Sequence, residues 1–109
     1  MKSKLIVAAG AACVAFSAQA ADVAKGEQLA QAQCAACHGK DFASPIDPSY
    51  PKLAGQYVDY LEKALRDYQT GARKNAIMAG LAKPLSRADI KDLAAYLSRL
   101  PGPLDNSKR

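Results

Sequence analysis

Cys34-Ala35-Ala36-Cys37-His38 sets two thiols three residues apart, with an imidazole directly after the second. On one turn of helix, positions i, i+3 and i+4 share a face, so the two sulfurs and the ring lie on the same side. That is the attachment pattern of a c-type haem: the thiols reach the two vinyl groups on one porphyrin edge, and the imidazole becomes the proximal iron ligand. Three plainer readings compete with it. A dithiol redox centre wants a βαβ context, whereas these flanks are helical and alanine-rich. A structural zinc site needs about four Cys or His ligands, and the chain has a single His. A simple disulfide would close a tiny loop and leave His38 without a role.

Toward the N-terminus, Lys2 and Lys4 precede an apolar run from Leu5 to Phe16, and Ala18-Gln19-Ala20 supplies small residues for cleavage. Residues 1–20 are therefore expected to be a secretory signal peptide, with the mature chain starting at Ala21. The apolar run is too short for a membrane span, and Cys13 leaves with the leader. A lipoprotein reading, with Cys13 as the modified end, fits worse because Gly10 stands where a leucine-like residue is expected. Of the 15 Lys and Arg, Lys2 and Lys4 fall in the leader; against 10 Asp and Glu, the remaining 89 residues carry formally +3. One small domain, 21–103, is all this length allows, followed by a polar tail, 104–109. Domains of this size bury a limited core, which a flat apolar macrocycle would supplement. Export suits the chemistry, since haem is joined to Cys thiols outside the cytoplasm, where an unoccupied Cys34/Cys37 pair would oxidise. The modest charge, with no interleaving of basic and aromatic residues, argues against nucleic-acid binding.

Apolar spacing predicts a first helix over 22–34, capped by Asp22. Residues 39–53 carry Pro45, Pro48 and Pro51 with Ser44, Ser49, Asp41 and Asp47, which is loop chemistry. Val58, Leu61, Leu65 and Tyr68 mark a second helix over 56–70, ended by Gly71. A basic loop, opened by Arg73-Lys74-Asn75-Ala76-Ile77-Met78, is expected to run to Pro84. Ser86 and Asp89 form a capping-box pattern that opens a last helix through Ile90, Leu93, Ala94 and Leu97 to Leu100. Pro101-Gly102-Pro103 stops it. No strand pattern is present, so the fold class is all-α.

A His-ligated haem leaves one iron position open, and Met78 is the candidate for it. It is the one Met outside the leader, and a helix and a turn separate it from the haem motif, enough chain to reach the opposite face. Lys74 and Lys83 are weaker candidates, because an ammonium must lose its proton before it can bind iron.

With these residues in place, the chain resembles a class I c-type cytochrome and is similar to the single-haem domains of the bacterial di-haem subgroup. The resemblance is carried by Gly26, Cys34 to Gly39, Tyr50-Pro51-Lys52-Leu53-Ala54-Gly55-Gln56, Tyr60-Leu61, Gly71, Arg73, Asn75, Met78, Pro84-Leu85-Ser86 and Leu93 to Leu97. It implies three main helices wrapped round one covalent haem, the first and last crossing where Gly26 approaches Tyr96. It also implies that the Pro51 carbonyl accepts a hydrogen bond from His38. Leu53, Leu61, Leu65 and Ile77 would pack on the macrocycle, and Arg73 and Asn75 would contact a propionate or steady the Met segment. One departure stands out: Phe42 occupies a position where the subgroup has a small residue, often Gly. If that position needs φ > 0, Phe42 is strained.

The resemblance implies a periplasmic one-electron carrier rather than an enzyme, working with acidic redox partners: a terminal oxidase, a quinol-cytochrome c reductase or a periplasmic dehydrogenase. Lys40, Lys52, Arg73, Lys74 and Lys83 would surround an exposed haem edge and steer such partners. No stable membrane insertion is expected after processing. Two alternatives remain. The chain could be the haem subunit of a larger oxidoreductase, docking through a face that includes Tyr57 and Tyr60. If Met78 is not a ligand, an open iron would suit a gas sensor or a peroxidase.

Overall fold

Asp22 opens the first helix from an extended conformation, its carboxylate accepting the Lys25 N–H at 3.0 Å. In the computed structural model, which describes residues 20–104, five helical segments follow: α1 (Val23–Gln33), α2 (Ala35–His38), α3 (Val58–Thr70), α4 (Ala76–Ala82) and α5 (Arg87–Ser98). No strand occurs among the described residues. The expected signal peptide and nearly all of the expected tail lie outside them.

The first helix does not run unbroken into the haem motif. At Cys34 the backbone turns to φ −110°, and the chain restarts as the single turn of α2, with the His38 N–H on the Cys34 carbonyl at 3.0 Å. Farther along, α3 turns Leu61, Ala64, Leu65 and Tyr68 to one side, as its 3.6-residue spacing requires. It ends at Gly71, whose φ of 82° is the left-handed cap that glycine adopts without strain. For α5, the Asp89 N–H reaches Ser86 Oγ and the Ser86 N–H reaches Asp89 Oδ2, both at 3.0 Å, completing the capping box. Its buried stripe is Ile90, Leu93, Ala94 and Leu97.

The helices α1 and α5 cross at Gly26. A Cβ built there would stand 2.0 Å from the Asp92 carbonyl oxygen and 3.0 Å from Tyr96 Cβ, so the two backbones meet with nothing between them. Asp92 is buried beside this crossing, 5% exposed, and its carboxylate accepts the Asp22 N–H at 2.8 Å. Ala30, Phe42, Ala54, Leu61, Leu93, Ala94 and Leu97 form the buried cluster beneath.

Two expectations need revision or completion. The segment expected as a loop up to Pro84 contains α4, so Met78 sits in the first turn of a helix and not in a loop. Asn75 is the reason: its side chain accepts the N–H groups of Ile77 and Met78, each at 3.0 Å, and so nucleates a turn among Ala, Ile, Met and Leu. Phe42 does adopt positive φ, 56°, and it does so fully buried. Holding a bulky L-residue there costs about 1–2 kcal/mol, and full burial of the ring offsets it with about 1.5–3 kcal/mol. Asp41 supports the turn, accepting the N–H groups of Ala43 and Ser44; these bonds hold its carboxyl below the ordinary carboxylate value.

Candidate functional site

Inside the fold lies a cavity of about 460 Å³, within the range that holds a cofactor-sized ligand. Every residue predicted for the site lines it: Cys34, Cys37, His38, Pro51, Leu53, Arg73, Asn75 and Met78. So do Leu61, Leu65 and Ile77, expected to pack on the macrocycle. Leu81, Leu85, Leu93 and Leu97, with Ala64 and Ala82, add to the apolar wall.

His38 is brought in by α2 and is 5% exposed. Its Nδ1 lies 2.8 Å from the Pro51 carbonyl oxygen. A carbonyl accepts only, so Nδ1 carries the proton and donates, and Nε2 is left as the lone-pair nitrogen available to a metal. Backbone bonds keep the acceptor loop in place: Leu53 and Ala54 donate to the Phe42 carbonyl at 2.8 and 3.0 Å. The strained residue thereby anchors the segment that orients the imidazole.

Cys34 and Cys37 are free thiols, both half-buried. Burial, and beside it Cys37, push the Cys34 thiol up to about 11. At neutral pH it is a neutral thiol, unlike the low-pKa nucleophile of a dithiol oxidoreductase. Among the described residues no three His, Cys, Asp or Glu side chains converge as a metal site, which leaves the zinc reading without ligands. Two thiols, an oriented imidazole and a thioether on one leucine-lined cavity fit an iron porphyrin held covalently.

Arg73 and Asn75 take separate parts. Asn75 is spent on capping α4, as described. The Arg73 guanidinium stands 5.0 Å over the Tyr68 ring, a cation–π contact, and donates to the Tyr60 hydroxyl at 3.4 Å. Of the five cations expected around the edge, Lys52, Arg73 and Lys74 border the cavity, whereas Lys40 and Lys83 do not. Tyr60 lines it; Tyr57 does not. Tyr68, read from the sequence only as one of the apolar positions that mark this helix, also lines the cavity, as its place one turn beyond Leu65 on α3 allows.

Comparison with known proteins places this architecture. The Cytochrome c family model matches residues 23–101. A thiosulfate dehydrogenase electron acceptor of Thiomonas intermedia (strain K12) is 48% identical over 69 residues, 63% of this chain and 32% of that protein. Cytochrome c-554(548) of Halomonas halodenitrificans is 44% identical over 82 residues, 72% of this chain and 96% of that protein. Among solved structures, reduced recombinant cytochrome c4 from Pseudomonas stutzeri superposes with a TM-score of 0.67 at 33% identity, over 74% of this chain and 50% of that one. The chain thus spans about a third to a half of two of these relatives and nearly all of the third. Their agreement with the helices and the haem-attachment motif makes the chain a member of the cytochrome c family, and covalent haem c with its iron is the cofactor that membership brings.

Proposed function

We propose that this chain is a one-electron carrier and not an enzyme. The observation that carries the proposal is the presence of His38 and Met78 on one apolar cavity, in a chain with no second His to serve as a distal acid or base. When bound, haem c supplies a ferric–ferrous couple. The residues do the rest. His38 offers Nε2, held in one tautomer by Pro51, and Met78 offers its thioether from the first turn of α4. The leucine wall excludes water, which together with the thioether favours the less charged ferrous state and raises the potential. His38 and Met78 would hold the iron from the protein in both oxidation states, so little rearrangement of the chain would accompany electron transfer.

The absorption spectrum of the haem-loaded protein tests this reading. The ferric form should show the weak near-red band of sulfur on iron, and Met78→Ala should abolish it and lower the reduction potential by on the order of 0.1 V or more. A haem spectrum without that band removes Met78 as ligand and moves the open-site sensor or peroxidase ahead.

We further propose export to the periplasm, on the strength of residues 1–20. Among the described residues no helix is long and apolar enough to cross a membrane. The partner class we favour is a dehydrogenase acting on a small sulfur oxyanion, because of the likeness to the Thiomonas acceptor. Lys52, Arg73 and Lys74 at the cavity rim would attract an acidic partner surface. A thiosulfate dehydrogenase catalytic subunit supplied with thiosulfate should then reduce the ferric protein, with a rate that falls steeply as salt is added. Failure to reduce it eliminates that partner.

A further inference from the structure

Gln69, near the end of α3, lies outside the haem motif and is not a lining residue of the cavity. Its side-chain amide donates to two carbonyls across the interface with α4, Ala82 and Leu85, each at 2.8 Å. The Ala82 carbonyl is the last of α4, where a helix has no internal partner for its C=O groups, and Leu85 stands three residues beyond it. Pro84 has no N–H to serve them. Ala82 is fully buried, and its carbonyl takes two partners from the protein, the Leu85 N–H at 3.0 Å and the Gln69 amide, whereas the Leu85 carbonyl takes the other Gln69 bond. An NH₂ group has two N–H bonds, and here each meets one acceptor.

The consequence falls on Met78. At seven residues, α4 is well below the ~12–15 at which a helix stands alone in water. It packs against α3. Asn75 fixes its entry and Gln69 its exit, with the thioether between them. We propose that Gln69 is a positioning residue for Met78, a clasp that holds the ligand-bearing helix against α3. The inference rests on Met78 being the distal ligand, which is the reading proposed above.

Imidazole, which competes with a thioether for ferric iron, is the probe. It would be titrated into the haem-loaded ferric protein while the near-red sulfur band is followed. Gln69→Met keeps the length and apolar bulk without the donors. Gln69→Glu keeps the shape but sets a carboxylate against two carbonyl oxygens. Two lost hydrogen bonds predict imidazole binding about tenfold tighter in Gln69→Met, tighter still in Gln69→Glu, and a sulfur band that fades on warming at a lower temperature in both. A purely packing role would make the band and the affinity in Gln69→Met equal to wild type. Imidazole affinity within twofold of wild type overturns the clasp; should Gln69→Glu not fold, Gln69→Met alone decides. Met78→Ala separates the two layers of the argument. If it binds imidazole about a hundredfold tighter than wild type while Gln69→Met stays within twofold of wild type, the clasp alone falls. If Met78→Ala binds no tighter than wild type, the ligand reading itself fails, and the clasp with it.

Discussion

Replacing Gly26 by alanine should cost about 3 kcal/mol or more of stability, a large share of what a domain of this size possesses. The added methyl would lie 2.0 Å from the Asp92 carbonyl oxygen and 2.6 Å from its carbon. Both are backbone atoms inside α5, so no side-chain rotation can make room. The helices must separate, and separation stretches the Asp22–Asp92 hydrogen bond and loosens Ala30 against α5. Alanine gains about 1 kcal/mol of helix propensity over glycine, too little to compensate. Denaturant unfolding of the haem-loaded proteins measures the difference. A loss smaller than about 1 kcal/mol would mean that α1 shifts along α5 at little cost, contrary to the contact described.

Phe42→Ala should be comparably damaging, about 3–5 kcal/mol, because it empties a fully buried ring site. The lost contacts include an edge-on packing with Tyr96, ring centres 6.0 Å apart and planes at 90°. The more telling comparison is Phe42→Gly. By size alone glycine should be worse than alanine, since it removes one carbon more. At φ 56° the order reverses: alanine retains the left-handed penalty and glycine does not, so Phe42→Gly should be about 1 kcal/mol more stable than Phe42→Ala. Equal stabilities, or alanine ahead, would show that the turn relaxes to negative φ once the ring is gone. Because the Phe42 carbonyl anchors Leu53 and Ala54 beside Pro51, both variants should also loosen the orientation of His38.

Local chemistry was readable from sequence. The haem motif is five consecutive positions, Cys34 to His38, the Ser86–Asp89 box spans one turn, and Gly71 marks its own helix end, so no distant contact is needed to see them. Long-range partners decided what was not readable. The helix α4 is seven residues whose exit is secured by a side chain thirteen residues upstream, and from sequence the cations before it and Pro84 after it looked like loop. Asp92 sits among Leu93, Ala94 and Ala95 and would pass for the solvated side of α5; its burial depends on a backbone N–H seventy residues away. Phe42 shows tertiary packing overriding a local preference, which spacing alone could flag as a departure but not resolve. In the site, the ligand types were legible, whereas the division of labour between Asn75 and Arg73 depended on Tyr60 and Tyr68.

The joint between residue 22 and residue 92 has a bearing on how the chain comes into being. With the entry of α1 tied to α5, that helix lacks its main packing surface until α5 has been synthesised. An incomplete chain is thus an open one, its two thiols still within reach of whatever must modify them, and closure waits for the final helix to arrive.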